Sequence, residues 1–429
     1  MKGWCYSLIV GLALSLLSLR TAQADTPMEV QEVELSAHLP DPTRPPAFFS
    51  DESAIIATAW LRLTIDEQGR VVAAVPEPKG TPWSDRLLKY RQRISDMALG
   101  LQFRPFERDG KPVAVTGPMS IAVYPKTKPA ADRPFAEASM AETDISLSRG
   151  PCEGLCPIYD VTIHGDGRVT FNGDFHTSII GAVDYRVDPA NVAALIEQFR
   201  AVRFFGLEDR YFNDSISDWP EARIRLRRGN SVKTVREYDG LAVGMPMSVI
   251  DIADAIDRLA RSDHWISGGP EIVDELAASG WDFSRADFAD NFACMTYDIY
   301  LRPGLLDAFL SHGTRPDGHC DGWSAMEIAA RHGPVETFER LRATGVLKGY
   351  TPDQKNAVLM EAVSGGQLAM VEAMLREGAD PAAPNEKGES ALKAAERLAS
   401  APGGGENPER TADRPRIWQL LRSIAGAKP

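Results

Sequence analysis

Only five cysteines and seven histidines occur in 429 residues, so metal or thiol chemistry has few side chains to draw on. No Gly-x-Ser-x-Gly elbow, His-Glu-x-x-His pair, phosphate-binding glycine loop or dinucleotide-binding glycine pattern is present. Without these motifs no catalytic constellation, resident metal or cofactor is expected. Positive charge is scarce as well: the formal net charge is -13. No Lys/Arg cluster interleaves with aromatics, and "RLRRG", Arg225 to Gly229, reads as a short basic strand end. A nucleic-acid partner is therefore not expected, and an anionic membrane surface would attract the chain little. No apolar run reaches the roughly 20 residues needed to span a bilayer.

What is present begins at the amino terminus. Lys2, the apolar run Leu8 to Leu19 and the small-residue site Ala22-Gln23-Ala24 predict a cleaved secretory signal over residues 1–24. The alternative is an uncleaved anchor. The chain is expected to be periplasmic or secreted after cleavage near Ala24, with no transmembrane segment in the mature form. Cys5 precedes the apolar run and is not placed for lipidation.

Beyond the leader the composition falls into three regions. In "TAWLRLTI", Leu61, Leu63 and Ile65 alternate with Trp60, Arg62 and Thr64, the pattern of a half-buried strand. A turn at Asp66 to Gly69, a second strand from Arg70 to Val75 and an amphipathic helix from Leu87 to Ala98 follow. Two strands around Arg108-Asp109-Gly110 complete the region. Gly69, Phe103 with Pro105, and Asp109 to Val113 carry a resemblance to the carboxy-terminal domain of the TonB energy-transducing family over residues 53–125. That resemblance implies an α/β module whose edge strand, near Ser120 to Tyr124, accepts an extended peptide. No retained membrane helix or long Pro-rich spacer precedes it here, so strand pairing rather than force transduction is the part expected to carry over.

Residues 126–140, "KTKPAADRPFAEA" at their heart, read as a linker. After them Tyr159, Val161 and Ile163 alternate, Asp166-Gly167 turns the chain, and Val169 with Phe171 returns it. Asp188 and Pro189 open a helix with Val192, Leu195, Ile196 and Phe199 on one stripe; a hairpin around Gly229-Asn230 and a closing helix from Pro246 follow. An α+β domain over residues 141–268 is predicted. Cys152, Gly154, Cys156, Pro157, Tyr159, Asp166-Gly167 and Phe204, Phe205, Leu207 resemble a bacterial family known only as domain of unknown function 6438. The resemblance implies no mechanism.

The third region repeats. Ala329, Ala362 and Ala395 are 33 positions apart, as are Gly333 and Gly366, Leu341 and Met374, and Gly345 and Gly378. This period, with Gly between and after two helices, is similar to ankyrin repeats, and predicts an all-α stack of three to four units over residues 286–426. A binding surface is what the family implies; a structural lid on the middle domain is the alternative. The tip loops near Asp321 to Trp323 and Pro384 to Lys387, with Asp321, Trp323, Asn385 and Lys387, are the expected contact points.

Four cysteines remain once the leader is removed. Cys152 and Cys156 fit a short disulfide at the entry to a hairpin in an oxidising compartment. Thioredoxin-like exchange needs two intervening residues and a following helix; here there are three and a strand. A shared metal would need two further ligands, and two unpaired thiols stay open as well. Cys294 and Cys320 are candidates for a second disulfide. His312, His319 and His332 crowd one part of the repeats but read as surface residues. Asp214, Asp218 and Glu221 form an acidic loop beside Trp219; general acid/base work there would require burial to separate their pKa values.

The expectation is a mixed multidomain protein: an α/β TonB-C-like module, an α+β middle domain and an all-α ankyrin stack. Its function is expected to be non-catalytic binding of an envelope protein partner. The alternative is a hydrolase or small-ligand receptor centred on Tyr159, Tyr211 and Asp218.

Overall fold

The computed structural model describes residues 27–42, 44–77, 83–302, 304–400 and 408–426, and the chain divides into two compact units after Lys126. The expected leader lies outside the described residues. Among those described, no helix is long and apolar enough to cross a membrane. The architecture is mixed, with fifteen α-helices and several sheets among the described residues.

The first unit comprises β1 (Met28–Glu29), α1 (Glu32–Ala37), β2 (Ala47–Phe49), β3 (Ala57–Ile65), β4 (Val71–Pro76), α2 (Asp85–Leu88), α3 (Arg91–Leu99), β5 (Phe106–Arg108), β6 (Lys111–Val113) and β7 (Val115–Tyr124). Alternation in β3 buries Ala59, Leu61, Leu63 and Ile65 against Ile94 and Ala98 of α3. The predicted single helix is broken in two, with Tyr90 between the pieces; its ring is buried and its hydroxyl donates to Asp51 at 2.5 Å. Residues upstream of the expected start at 53 belong to this unit.

The expected edge near Ser120 to Tyr124 is not an edge. β7 lies between β3, paired along its length, and the parallel β1 and β2, whose registers are Met28 with Val115 and Ala47 with Ala122. Between those two short partners, Pro118 has no amide proton, and the Ser120 N–H donates to the Glu32 carboxylate of α1 at 2.9 Å. The strand therefore offers a further chain no free donor at either position. The sheet ends at β4 on one side and at the short β1 and β2 on the other.

The second unit opens with the segment expected to be a linker, which is bonded to the domain it precedes. Lys128 and Ala131 donate backbone amides to Gly244 and Gly206, both at 2.7 Å, and the Arg228 guanidinium donates to the carbonyls of Ala136 and Ala138. Phe135 packs edge-on against Phe205, with ring centroids 5.4 Å apart. Composition reads as a spacer because the Pro/Ala-rich segment lacks a hydrophobic period, yet its backbone groups find partners.

The middle domain is a seven-stranded sheet with order β11-β10-β9-β8-β13-β14-β12. The strands are β8 (Thr143–Arg149), β9 (Ile158–His164), β10 (Arg168–Phe175), β11 (Gly181–Arg186), β12 (Arg210–Phe212), β13 (Ala222–Arg228) and β14 (Ser231–Tyr238), all antiparallel except β12 beside β14. One face carries Leu147, Val161, Ile224 and Val235 and is covered by α4 (Pro189–Ala201) and α5 (Met247–Ala260). The stripe Val192, Leu195, Ile196 and Phe199 of α4 is buried as the periodicity predicts. The opposite face is polar, as antiparallel alternation requires when one side meets water.

α6 (Ser262–Ser267), α7 (Glu271–Ala278), α8 (Ala286–Met295) and α9 (Leu305–Ser311) continue without a spacer. Phe171 and Ile179 of the middle domain share one hydrophobic core with Phe283, Phe292 and Phe309. The junction also buries a polar knot: Arg302 bonds Asp298 at 3.2 Å and the carbonyls of His176 and Ile266, while His176 Nδ1 lies 3.1 Å from Asp298. A short hairpin, β15 (His319–Cys320) and β16 (Trp323–Ser324), then leads into three helix pairs: α10 (Ala325–His332) with α11 (Val335–Ala343), α12 (Pro352–Ser364) with α13 (Leu368–Arg376), and α14 (Ala391–Ser400) with α15 (Pro408–Gly426). Ala329, Ala362 and Ala395 are all buried, so the 33-residue period places the same small side chain inside each pair.

Candidate functional site

The four cysteines among the described residues pair as two disulfides, Cys152 with Cys156 and Cys294 with Cys320. The first closes the loop that enters β9, and Gly154 at its apex has φ +109°, a conformation open to glycine. The second joins α8 to the β15–β16 hairpin. Among the described residues no group of three or more His, Cys, Asp or Glu side chains is arranged to hold a metal ion. His312, His319 and His332 are exposed; His312 bonds Asp274 at 2.9 Å and His332 lies against the Tyr297 ring.

Tyr159, Tyr211 and Asp218 do not converge. Tyr159 pairs across the sheet with Arg149, Arg149 with Ala222, Ala222 with Glu237, and Glu237 with Tyr211. Four strand spacings separate the two tyrosines, roughly 19 Å at about 4.8 Å each. Tyr159 donates its hydroxyl to Asp257 of α5 at 2.7 Å, and Tyr211 accepts from the Glu208 amide at 3.1 Å. Burial and the neighbouring Asp257 push the Tyr159 hydroxyl up, away from any titration near neutrality. Burial opposes the charge on Arg149, but Asp257, 2.8 Å away, outweighs it and holds that guanidinium protonated. Asp218 sits on the exposed loop before β13, with Asp214 paired to Arg210 and Glu221 to Arg236. Asp214 and Glu221 are thus held in ion pairs, and Asp218 is exposed.

The repeat-tip residues do converge. Trp323, Asn385 and Lys387 line one groove of about 720 Å³ whose floor is α12. Asp353, Asn356, Ala357, Met360 and Glu361 recur at three- and four-residue steps and so share one helix face. The first wall is Trp323, set by the hairpin turn Asp321-Gly322, whose φ values of +51° and +84° are those of a two-residue Asp-Gly turn. Asp321 thus shapes the turn that presents Trp323. The second wall is the 383–387 loop, stiffened by Asn385 Oδ1, which accepts from the amides of Lys387 and Glu389, both at 3.0 Å.

The groove combines an apolar surface with excess negative charge. Trp323 and Met360 supply the first; Glu327, Asp353, Glu361 and Glu386 outnumber Lys387 in the second. Burial pushes the Glu361 carboxyl up, opposed by Arg331, which bonds it at 2.9 Å and lies 5.4 Å from the centroid of the Trp323 ring. Sequence reasoning missed α12 as the floor. Its groove-facing residues are spread over a helix whose buried stripe dominates the pattern.

No curated protein matches the chain. Residues 143–260, from the first strand of the seven-stranded sheet to the end of α5, match the family model described as "Domain of unknown function (DUF6438)".

Proposed function

We propose that the chain is an exported, periplasmic or secreted, protein without catalytic activity that binds an envelope protein partner through the groove over α12. The observation that carries the reading is the convergence of Trp323, Asn385 and Lys387, from two separate tip loops, on a single concave surface. The 33-residue period with Gly345 and Gly378 closing successive units supports an ankyrin-type stack, a family that binds through such surfaces. Two disulfides fit an oxidising compartment, and with it the leader expected over residues 1–24. The TonB-like resemblance supports the fold of the first module, while the occupied flanks of β7 make its strand a poor acceptor.

Cell fractionation combined with affinity capture tests the proposal. The parent is expected in the envelope-derived fraction, retaining a partner that Trp323→Ala with Lys387→Glu releases. Full-length chain in the cytoplasm, or a set of retained proteins unchanged by these substitutions, would overturn it.

A further inference from the structure

The middle domain carries a second exposed surface at the end of the sheet where the Cys152–Cys156 loop lies. Leu155 at that loop and Ile216 and Trp219 on the neighbouring one are 57%, 37% and 48% exposed. The loops are tied together: the Glu153 amide donates to the Asp218 carbonyl at 3.1 Å, one residue from Trp219 and two from Leu155 and Ile216. Both are held from below. The disulfide closes the first. In the second, the Trp219 amide donates to the Tyr238 hydroxyl at 2.9 Å, and buried Asn213 bonds Asp239 at 2.8 Å while accepting from the Ser215 amide. Asp218 adopts φ +60° between them. Apolar side chains projecting from loops this constrained lose little freedom on being covered.

Charge selects the kind of partner. Of the nearby arginines, Arg210 is matched to Asp214 at 2.7 Å, while Arg236 and Arg223 share Glu221 at 2.8 and 3.5 Å, which leaves one positive charge over. Among the described residues, the exposed carboxylates of Glu153 and Asp218 make no ion pair; with Asp214 and Glu221 they outnumber the three arginines, so the rim of the patch keeps a net negative charge. An anionic lipid surface is repelled by such a rim, and an acidic protein surface likewise. We propose that Leu155, Ile216 and Trp219 form a docking site for a basic polypeptide segment that presents apolar side chains, separate from the groove over α12.

The test uses the oxidised full chain and a fluorescein-labelled amphipathic peptide of Leu and Lys, about 18 residues or five helical turns long, with a Leu/Glu counterpart. At about 0.15 M salt, anisotropy is expected to show binding of the Leu/Lys peptide alone. Trp219→Ser and Leu155→Ser should each weaken it by about tenfold or more, the loss typical of a central anchor. Cys152→Ser with Cys156→Ser should weaken it too, by releasing the first loop, whereas Trp323→Ala should leave it unchanged. Equal binding of the two peptides, insensitivity to Trp219→Ser and Leu155→Ser, or loss only with Trp323→Ala would overturn the proposal. So would Trp219-dependent binding to phosphatidylglycerol vesicles without peptide binding, or a Trp219-dependent dimer in sedimentation.

Discussion

Glu32 and Ser120 stand 88 positions apart in sequence, yet the carboxylate of one accepts the amide proton of the other at 2.9 Å. A side chain thus fills a place in the β7 ladder that a backbone carbonyl would otherwise take. Glu32→Ala should leave the Ser120 amide open and speed its hydrogen exchange by about tenfold, corresponding to roughly 1–2 kcal/mol for a lost charge-assisted bond. Glu32→Gln keeps an acceptor and should change the rate far less. Exchange at Ser120 followed by NMR in the two variants checks the assignment; equal rates would reject it.

The two disulfides should differ in worth. Chain-entropy arguments give about 3.5 kcal/mol for closing the Cys294–Cys320 loop and about 2 kcal/mol for Cys152–Cys156, whose sequence separations are 26 and 4. Urea melts of the two paired Cys→Ser variants should rank in that order.

Glu237 sets a pH signature. Burial raises its carboxyl above the ordinary glutamate value of 4.5, with the Gly240 amide and Arg149 opposing. The folded state therefore holds this proton more tightly than the unfolded chain. Its contribution is complete below 4.5 and is lost as pH rises through the folded value. Glu237→Gln should remove that loss, so the variant gains melting temperature over the parent as pH rises through the same window. Asp144 acts with opposite sign. Burial would raise it, but bonds from His164 and Arg227 prevail and lower it below 3.8. Its stabilisation is present above 3.8 and disappears as pH falls through its folded value, a separate range.

Ala362 on α12 is fully buried, whereas Ala369 on α13 is exposed. Ala362→Leu overfills the site and should cost about 1–3 kcal/mol. Ala369→Leu should stay within about 0.5 kcal/mol. Thermal melts of the pair separate packing from any general effect of added hydrophobicity.

Local periodicity made much of this fold readable. The alternation of Leu61, Leu63 and Ile65, the stripe of α4 and the 33-residue recurrence of Ala329, Ala362 and Ala395 each report a buried face directly. The flanks of β7 were hidden because β1 and β2 are two and three residues long, too short to show a period. The anchoring of residues 127–139 was hidden because backbone groups make most of its bonds. For the groove, the repeat period pointed to the tip loops near Asp321 and Asn385 that form both walls, while the face of α12 between them became visible only when three segments met. Tyr159 and Tyr211 mislead for a related reason: sequence gives each a polar hydroxyl in a core, but the four strand steps between them depend on strand order.

Because Cys294–Cys320 clamps the helical array beside the core it shares with the middle domain, the array is asymmetric under thermal or proteolytic stress. Among the described residues α15 (Pro408–Gly426) lies farthest along the chain from that bridge, so fraying is expected to advance from it inward, pair by pair, until it meets the covalent tie. A protease should therefore trim the later helix pairs first and stall at the β15–β16 hairpin, where Cys320 is tied to α8, releasing a shortened but still folded species.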